Sequence, residues 1–289
     1  MNRRTLLKGA LLGASALAFR PSFTLATDTD DAKARLAALE REHGGRLGVS
    51  ILDTGNERRV LYRADERFMM CSTFKLLLVA ATLARVEHGA ERLDRRVIFK
   101  RDVILSYAPV TSLHVGAPGL TVAELCKAAI TLSDNSAANL LLASLGGPAA
   151  VTAYARQLGD PVTRLDHIEP ELNRPSPDHV SDTTTPNSML ANLRTLMLGN
   201  ALGDASRKML TEWLCETTTG SKLLRAGVPS GWRVGDKTGS GDGATNDVAI
   251  IWPPNRQPLL VAAYYAAPAA DDAGRSAVLA EVGRIAASI

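Results

Sequence analysis

Aromatic residues are scarce in this 289-residue sequence, at 4%, and cysteines number only three. Without aromatics interleaved along a basic stripe, the chain lacks the footprint of a nucleic-acid-binding surface. Cys71, Cys126 and Cys215 are an odd number, and their spacing matches neither a disulfide framework nor a metal knuckle. The histidines, His43, His88, His114, His167 and His179, form no His-x-His or His-x-x-x-His pair beside a carboxylate, so no metal or other cofactor is expected. Internal repeats and low-complexity tracts are absent as well.

A net charge of one sign is also missing once the first residues are set apart. Met1 to Lys8 is basic and Gly9 to Phe19 apolar, the pattern of a secretory leader, with Arg3-Arg4 favouring the twin-arginine route. That apolar run is too short for a permanent membrane span, and Thr24-Leu25-Ala26 offers a cleavage site. Removing residues 1–26 takes away Arg3, Arg4, Lys8 and Arg20 and no acid, so four charges leave and the formal +3 becomes −1. The expectation is a periplasmic or secreted monomer with no stable membrane anchor, whose partner is a small molecule.

The full sequence is 46% hydrophobic and 22% charged, enough to bury a sizeable core. Asp30 to His43 reads as a surface helix, and Gly48 to Gly55 with Val60 to Tyr62 reads as a hairpin. From Ser72 to about Trp213 the pattern is helical, broken by Gly and Pro. Strands return at 232–238, 247–252 and 259–265, and a helix closes the chain from about Asp272. Strands at both ends and helices between them imply an α+β fold. The sheet is expected to be antiparallel, five-stranded and flanked by the terminal helices, with an inserted all-helical domain and the active site between the two. The expected boundaries are 27–68 and 216–289 for the sheet domain and 69–215 for the helical one, which includes a proline-rich Ω-type loop, 164–182. Loops of that length in compact domains usually carry function.

Chemistry-bearing residues stand out at three places. In Cys71-Ser72-Thr73-Phe74-Lys75-Leu76-Leu77-Leu78 a serine and a lysine share one helix face inside an apolar run. The pair reads either as a helix cap with a snorkelling lysine or as a nucleophile beside a desolvated amine able to take its proton. Ser133-Asp134-Asn135 and the strand-end run Gly235-Asp236-Lys237-Thr238-Gly239-Ser240-Gly241 are, singly, turn chemistry. Strand alternation puts Thr238 and Ser240 on one face, and Gly239 would let a ligand approach the backbone.

Together, Ser-x-x-Lys, Ser-Asp-Asn and Lys-Thr-Gly in this order resemble the class A serine β-lactamases, a trio established for that family. Glu169-Pro170-Glu171-Leu172-Asn173 in the proline-rich loop strengthens the resemblance, which covers the mature chain. It implies hydrolysis of the β-lactam ring of penicillins and cephalosporins through an acyl-enzyme, conferring resistance. Ser72 would be the nucleophile, the Ser72 and Ser240 N–H groups the oxyanion hole, and Ser133 the proton donor to the ring nitrogen, with Lys75 and Lys237 keeping the field positive. Glu169 would activate the deacylating water, held with Asn173. Either Lys75 or Glu169 could be the acylation base. Asn135 would hold the side-chain amide, Lys237, Thr238, Gly239 and Ser240 the carboxylate end, and Tyr107 a wall. Asp134 is structural in this reading.

The resemblance also exposes departures. Val79 stands where many relatives have a cysteine bridged to the Cys126 position, and Gly241 where carbapenem-hydrolysing relatives have the partner of Cys71, so all three thiols are expected free. Asp242 to Asn246 lacks the arginine that commonly helps hold the substrate carboxylate. His167 replaces an arginine that closes the loop's neck on the aspartate matching Asp182, which suggests a looser neck admitting bulky cephalosporins, unless Arg164 with Asp166 already holds it. A D-Ala-D-Ala peptidase would not need Glu169 and Asn173, and a penicillin-sensing domain would acylate and stop.

Overall fold

The computed structural model describes residues 24–289, with side chains from residue 29. The leader sequence therefore lies outside the described residues, apart from its last three, which open helix α1 (Thr24–His43). The hairpin reading holds: β1 (Arg46–Asp53) and β2 (Arg58–Tyr62) pair antiparallel, with Ile51 opposite Val60. β3 (Arg233–Gly241), β4 (Ala244–Trp252) and β5 (Leu259–Ala266) complete a five-stranded antiparallel sheet in the order β2-β1-β5-β4-β3. The chain's two ends meet in this sheet where β1 pairs β5, Val49 opposite Ala263.

Strand alternation gives the sheet two apolar faces, and both are covered. Along β5, Leu259, Val261, Ala263 and Tyr265 join a core with α1 and the last helix, α8 (Asp272–Ala287). Leu260, Ala262 and Tyr264 join the other core, built by the helices of mid-chain. Its centre is a helix over Phe74–Glu87, here α2, whose first ten residues are all buried. It packs against α3 (Val122–Thr131), α4 (Asn135–Leu145), α5 (Pro148–Gln157) and, beyond α6 (Pro186–Met197), α7 (Asp204–Cys215). A helix apolar all round belongs in the middle of a bundle, and each buried leucine there contributes about 2 kcal/mol.

Three local expectations are corrected. Ser72 does not begin the α-helix but sits in a 3₁₀ turn, Cys71–Thr73, ahead of it. The turn is set by Cys71 at φ 45° and by Asn246 Nδ2, which donates to the Met69 and Met70 carbonyls. Lys-Thr-Gly-Ser-Gly is not a turn after a strand, because β3 stays paired through Gly241 opposite Ala244. Gly239 is required by close approach of the protein's own backbone: a Cβ there would lie 2.8 Å from the Met70 carbonyl oxygen and 3.1 Å from the Ser72 nitrogen. The two segments are thereby packed backbone to backbone.

Candidate active site

Between β3 and the start of α2 lies a cleft of about 580 Å³, lined by Ser72, Tyr107, Ser133, Asn135, Asn173, Thr238, Gly239 and Ser240. The other three residues singled out, Lys75, Glu169 and Lys237, lie buried beneath it. Lys75 Nζ is 2.9 Å from Ser72 Oγ, 2.8 Å from the Ser133 carbonyl, 3.3 Å from Ser133 Oγ, 2.6 Å from Asn135 Oδ1 and 2.9 Å from Glu169 Oε1. The snorkelling alternative is thereby excluded. The Ser72 hydroxyl donates to Glu169 Oε1 at 3.1 Å. Lys237 Nζ donates to Ser133 Oγ at 3.0 Å, so one chain of contacts runs from Glu169 to Lys237.

Burial dominates the electrostatics. It pushes the Lys75 ammonium below its ordinary value, opposed by the neighbouring Glu169 carboxylate. Lys237 is pulled down to about 7, first by burial and then by the charge of Lys75. Beneath Lys237, burial raises Asp236 and, together with the charge of Asp236, raises Asp247 well above its ordinary value.

Local chemistry explains how each side chain is aimed. Asp134 caps α4 through Ala137 N and accepts from Val110 N, Thr111 N and the Thr111 hydroxyl, fixing the segment that carries Tyr107. Ser133 precedes it at φ 55°, a left-handed conformation that turns its hydroxyl toward both lysines. Glu169 is clamped twice: Asn139 Oδ1 accepts its N–H at 3.0 Å and Asn139 Nδ2 donates to its carbonyl at 2.9 Å. Asn173 Nδ2 donates to Glu169 Oε2, leaving Asn173 Oδ1 buried without a protein partner.

A profile of the β-lactamase enzyme family matches residues 31–289. The chain belongs to that family. The β-lactamase OXY-1 of Klebsiella oxytoca is 45% identical over 280 residues, 96% of each chain. The β-lactamase CTX-M-8 of Citrobacter amalonaticus is 47% identical over 265 residues, 91% of each. Among solved structures, an ancestral class A β-lactamase superposes with a TM-score of 0.86 at 59% identity, covering 88% of this chain and 98% of that one. The class A β-lactamase fold is thus shown, and with it the α+β reading.

Four residues of this β-lactamase site escaped the sequence reading. Asn139, the clamp on Glu169, is an ordinary helix asparagine until the loop is folded against it. Thr219 shares a 2.6 Å hydrogen bond with Thr238 across the cleft's outer end. Lys222, exposed at that same end, has no ion-pair partner among the described residues. Arg275 reaches in from α8 to Thr245 Oγ1 at 3.2 Å, but its other nitrogens are held by the Ala267 and Ala270 carbonyls and Asp272. It therefore cannot stand in freely for the arginine missing from 242–246. The three cysteines are free.

Proposed function

We propose that Ser72 is the nucleophile of a β-lactam hydrolase acting on penicillins and cephalosporins, with Glu169 as base in both half-reactions. The observation that carries this is the hydrogen bond from the Ser72 hydroxyl to Glu169, beside a lysine whose ammonium faces five oxygen acceptors. Burial lowers the Lys75 pKa, but the Glu169 carboxylate opposes that loss and the Ser72 hydroxyl points at Glu169, which favours Glu169 for taking the serine's proton. In acylation the Ser72 oxygen bonds to the ring carbonyl while its proton passes to Glu169. The Ser72 and Ser240 N–H groups receive the oxyanion, and each such donor is worth roughly 10²–10³ in rate. As the amide C–N bond breaks, Ser133, between Lys75 and Lys237, gives its proton to the ring nitrogen and is reprotonated by Lys75, which takes up the proton held by Glu169 and so restores the carboxylate. In deacylation Glu169 takes a proton from a water that also donates to the unpartnered Asn173 Oδ1, the hydroxide adds to the ester carbonyl, and as the C–O bond breaks Glu169 returns the proton to Ser72 Oγ. Asn135 and Tyr107 bind the substrate's side chain, and Thr238 and Ser240 its carboxylate.

The substrate then lies at the junction of the sheet part, residues 27–68 and 216–289, and the helical part, 69–215. Export rests on the twin-arginine pattern of residues 1–26, and no single described helix is long and apolar enough to cross a membrane. We take the working form to be a monomer.

A chromogenic cephalosporin and Glu169→Ala test the reading. The parent should turn the reagent over, whereas Glu169→Ala should hold a penicillin adduct visible by mass spectrometry. No colour change by the parent refutes hydrolysis. An adduct lost as fast as the parent's refutes the role of Glu169.

A further inference from the structure

Behind the loop that carries Glu169, away from the substrate cleft, lies a second cavity of about 260 Å³. Its floor is Arg46, Arg67, Phe68 and Met69, its roof the loop residues after Asn173, and its far wall the β3–β4 turn with Pro268. Three guanidinium groups, Arg46, Arg67 and Arg174, face it against a single carboxylate, Asp242, with His179 at the rim. Arg46 is held ready: its guanidinium stacks 3.9 Å over the Phe68 ring and bonds Glu66 and the Arg67 carbonyl. Arg67 spends one nitrogen on the Val162 carbonyl and the Thr183 hydroxyl. Neither Arg67 nor Arg174 has an ion-pair partner among the described residues. Unpaired guanidinium groups at the edge of a partly apolar cavity match an anion with an apolar body, because the fork binds carboxylate while the flat face and the rings take the rest.

From this geometry we propose that the cavity is a binding site for small aromatic carboxylates. The occupant's carboxylate sits between Arg67 and Arg174, and its ring lies among Met69, Pro175 and Pro268. The site is joined to the catalytic loop by covalent chain and by one hydrogen bond. Arg174 follows Asn173, whose carbonyl accepts the Asp242 N–H at 3.0 Å across the wall between the two cavities. An occupant pins Arg174 to the sheet, and with it the backbone that sets Asn173 and Glu169. Binding itself does not depend on the proposed chemistry; its effect on turnover rests on that reading.

Benzoate is the probe, followed by protein-observed NMR titration of the mature chain, with benzamide as the uncharged control. Saturable binding with Kd of about 1 mM or tighter is expected, with benzamide at least about tenfold weaker. Arg174→Ala, at an exposed position, should weaken benzoate roughly fivefold or more, and Arg67→Ala likewise, while Tyr107→Ala in the substrate cleft should not. Benzoate should also bind undiminished to the penicillin adduct of Glu169→Ala, and should change kcat for a cephalosporin with KM unaltered. The proposal is overturned by absence of saturation at roughly ten times that concentration, by equal binding of benzamide, by indifference to both arginine substitutions, or by loss of binding in the adduct.

Discussion

Asp182→Ala probes what closes the neck of the catalytic loop. Asp182 is buried and its Oδ1 accepts two backbone N–H groups, from Asp166 at 2.8 Å and His167 at 2.9 Å, while Oδ2 meets His167 Nδ1 at 2.6 Å. Alanine would leave two N–H groups without their acceptor, at roughly 1–3 kcal/mol each. Asp182 also has φ 57°, and replacing Asp by Ala in that left-handed region adds about 1 kcal/mol. A loss of about 3–7 kcal/mol in urea unfolding is therefore expected. Asp182→Asn keeps an acceptor and tolerates the backbone, so it should lose about half as much or less. The imidazole contributes separately and little. Its hydrogen bond to Asp182 raises the His167 pKa, but the ring is half exposed, and such pairs contribute at most about 1 kcal/mol. A raised folded pKa means this contribution is full below the unfolded value of roughly 6.5 and fades as pH rises through the folded one. His167→Arg should abolish that pH dependence and leave the rest. Four contacts keep the neck shut whatever the histidine's charge: the two N–H bonds to Oδ1, Asp182 N to Asp166 Oδ2, and Arg164 N to the Thr183 carbonyl. The Arg164–Asp166 pair adds to these. Preference for a bulky cephalosporin over benzylpenicillin, measured as the ratio of kcat/KM, should then shift by less than about fivefold in His167→Arg. A cost under about 1 kcal/mol for Asp182→Ala, or a larger change in His167→Arg than in Asp182→Ala, would show that Asp182 does not close the neck.

Ser72→Ala should abolish benzylpenicillin hydrolysis; activity within about tenfold of the parent would remove the nucleophile from Ser72. Thiol titration of the unfolded, unreduced mature protein should count all three cysteines. In the folded protein half-buried Cys215 should react first, since burial raises the Cys71 and Cys126 thiols far above their ordinary range; equal rates would contradict that burial. Lys222→Ala should raise KM for benzylpenicillin by about threefold to tenfold, with kcat nearly constant, and leave hydrolysis of its uncharged methyl ester unaltered. An equal effect on the ester would show that Lys222 does not act on the carboxylate.

The residues whose chemistry depends on near neighbours in sequence were legible in advance. Ser72 and Lys75 lie one helical turn apart, Ser133 to Asn135 are adjacent, and Lys237 to Ser240 lie on one strand, so short spacings carried most of the site. The strands were legible for the same reason, since alternation is a local property. Asn139 and Arg275 were not, because their roles arise from contacts between segments about 30 residues apart in chain position, and nothing about an asparagine on a helix or an arginine near the C-terminus marks such a partner. The end of β3 was misjudged because Gly239 and Gly241 read as turn residues. Their actual cause is crowding: a Cβ on Gly241 would fall 2.7 Å from the Asn173 carbonyl oxygen and 2.8 Å from Cys71 Sγ. The other contacts that hold the neck at His167 were not legible either, because a side-chain substitution says nothing of backbone N–H groups that the same aspartate gathers.

The pairing of β1 with β5 has a consequence in time. Asp53 lies opposite Leu259, so the first strand of the sheet is made long before its neighbour exists. At about 5–20 residues per second, ribosomal synthesis keeps β1 waiting roughly 10–40 s with one edge unpaired. The mid-chain helices need no such wait, because α2 to α5 pack on partners close in sequence, and local contacts form fastest. Assembly should therefore proceed from the inside of the sequence outward, and nascent chains arrested before residue 259 should resist proteolysis in the helical segment while remaining open to cleavage within residues 46–62.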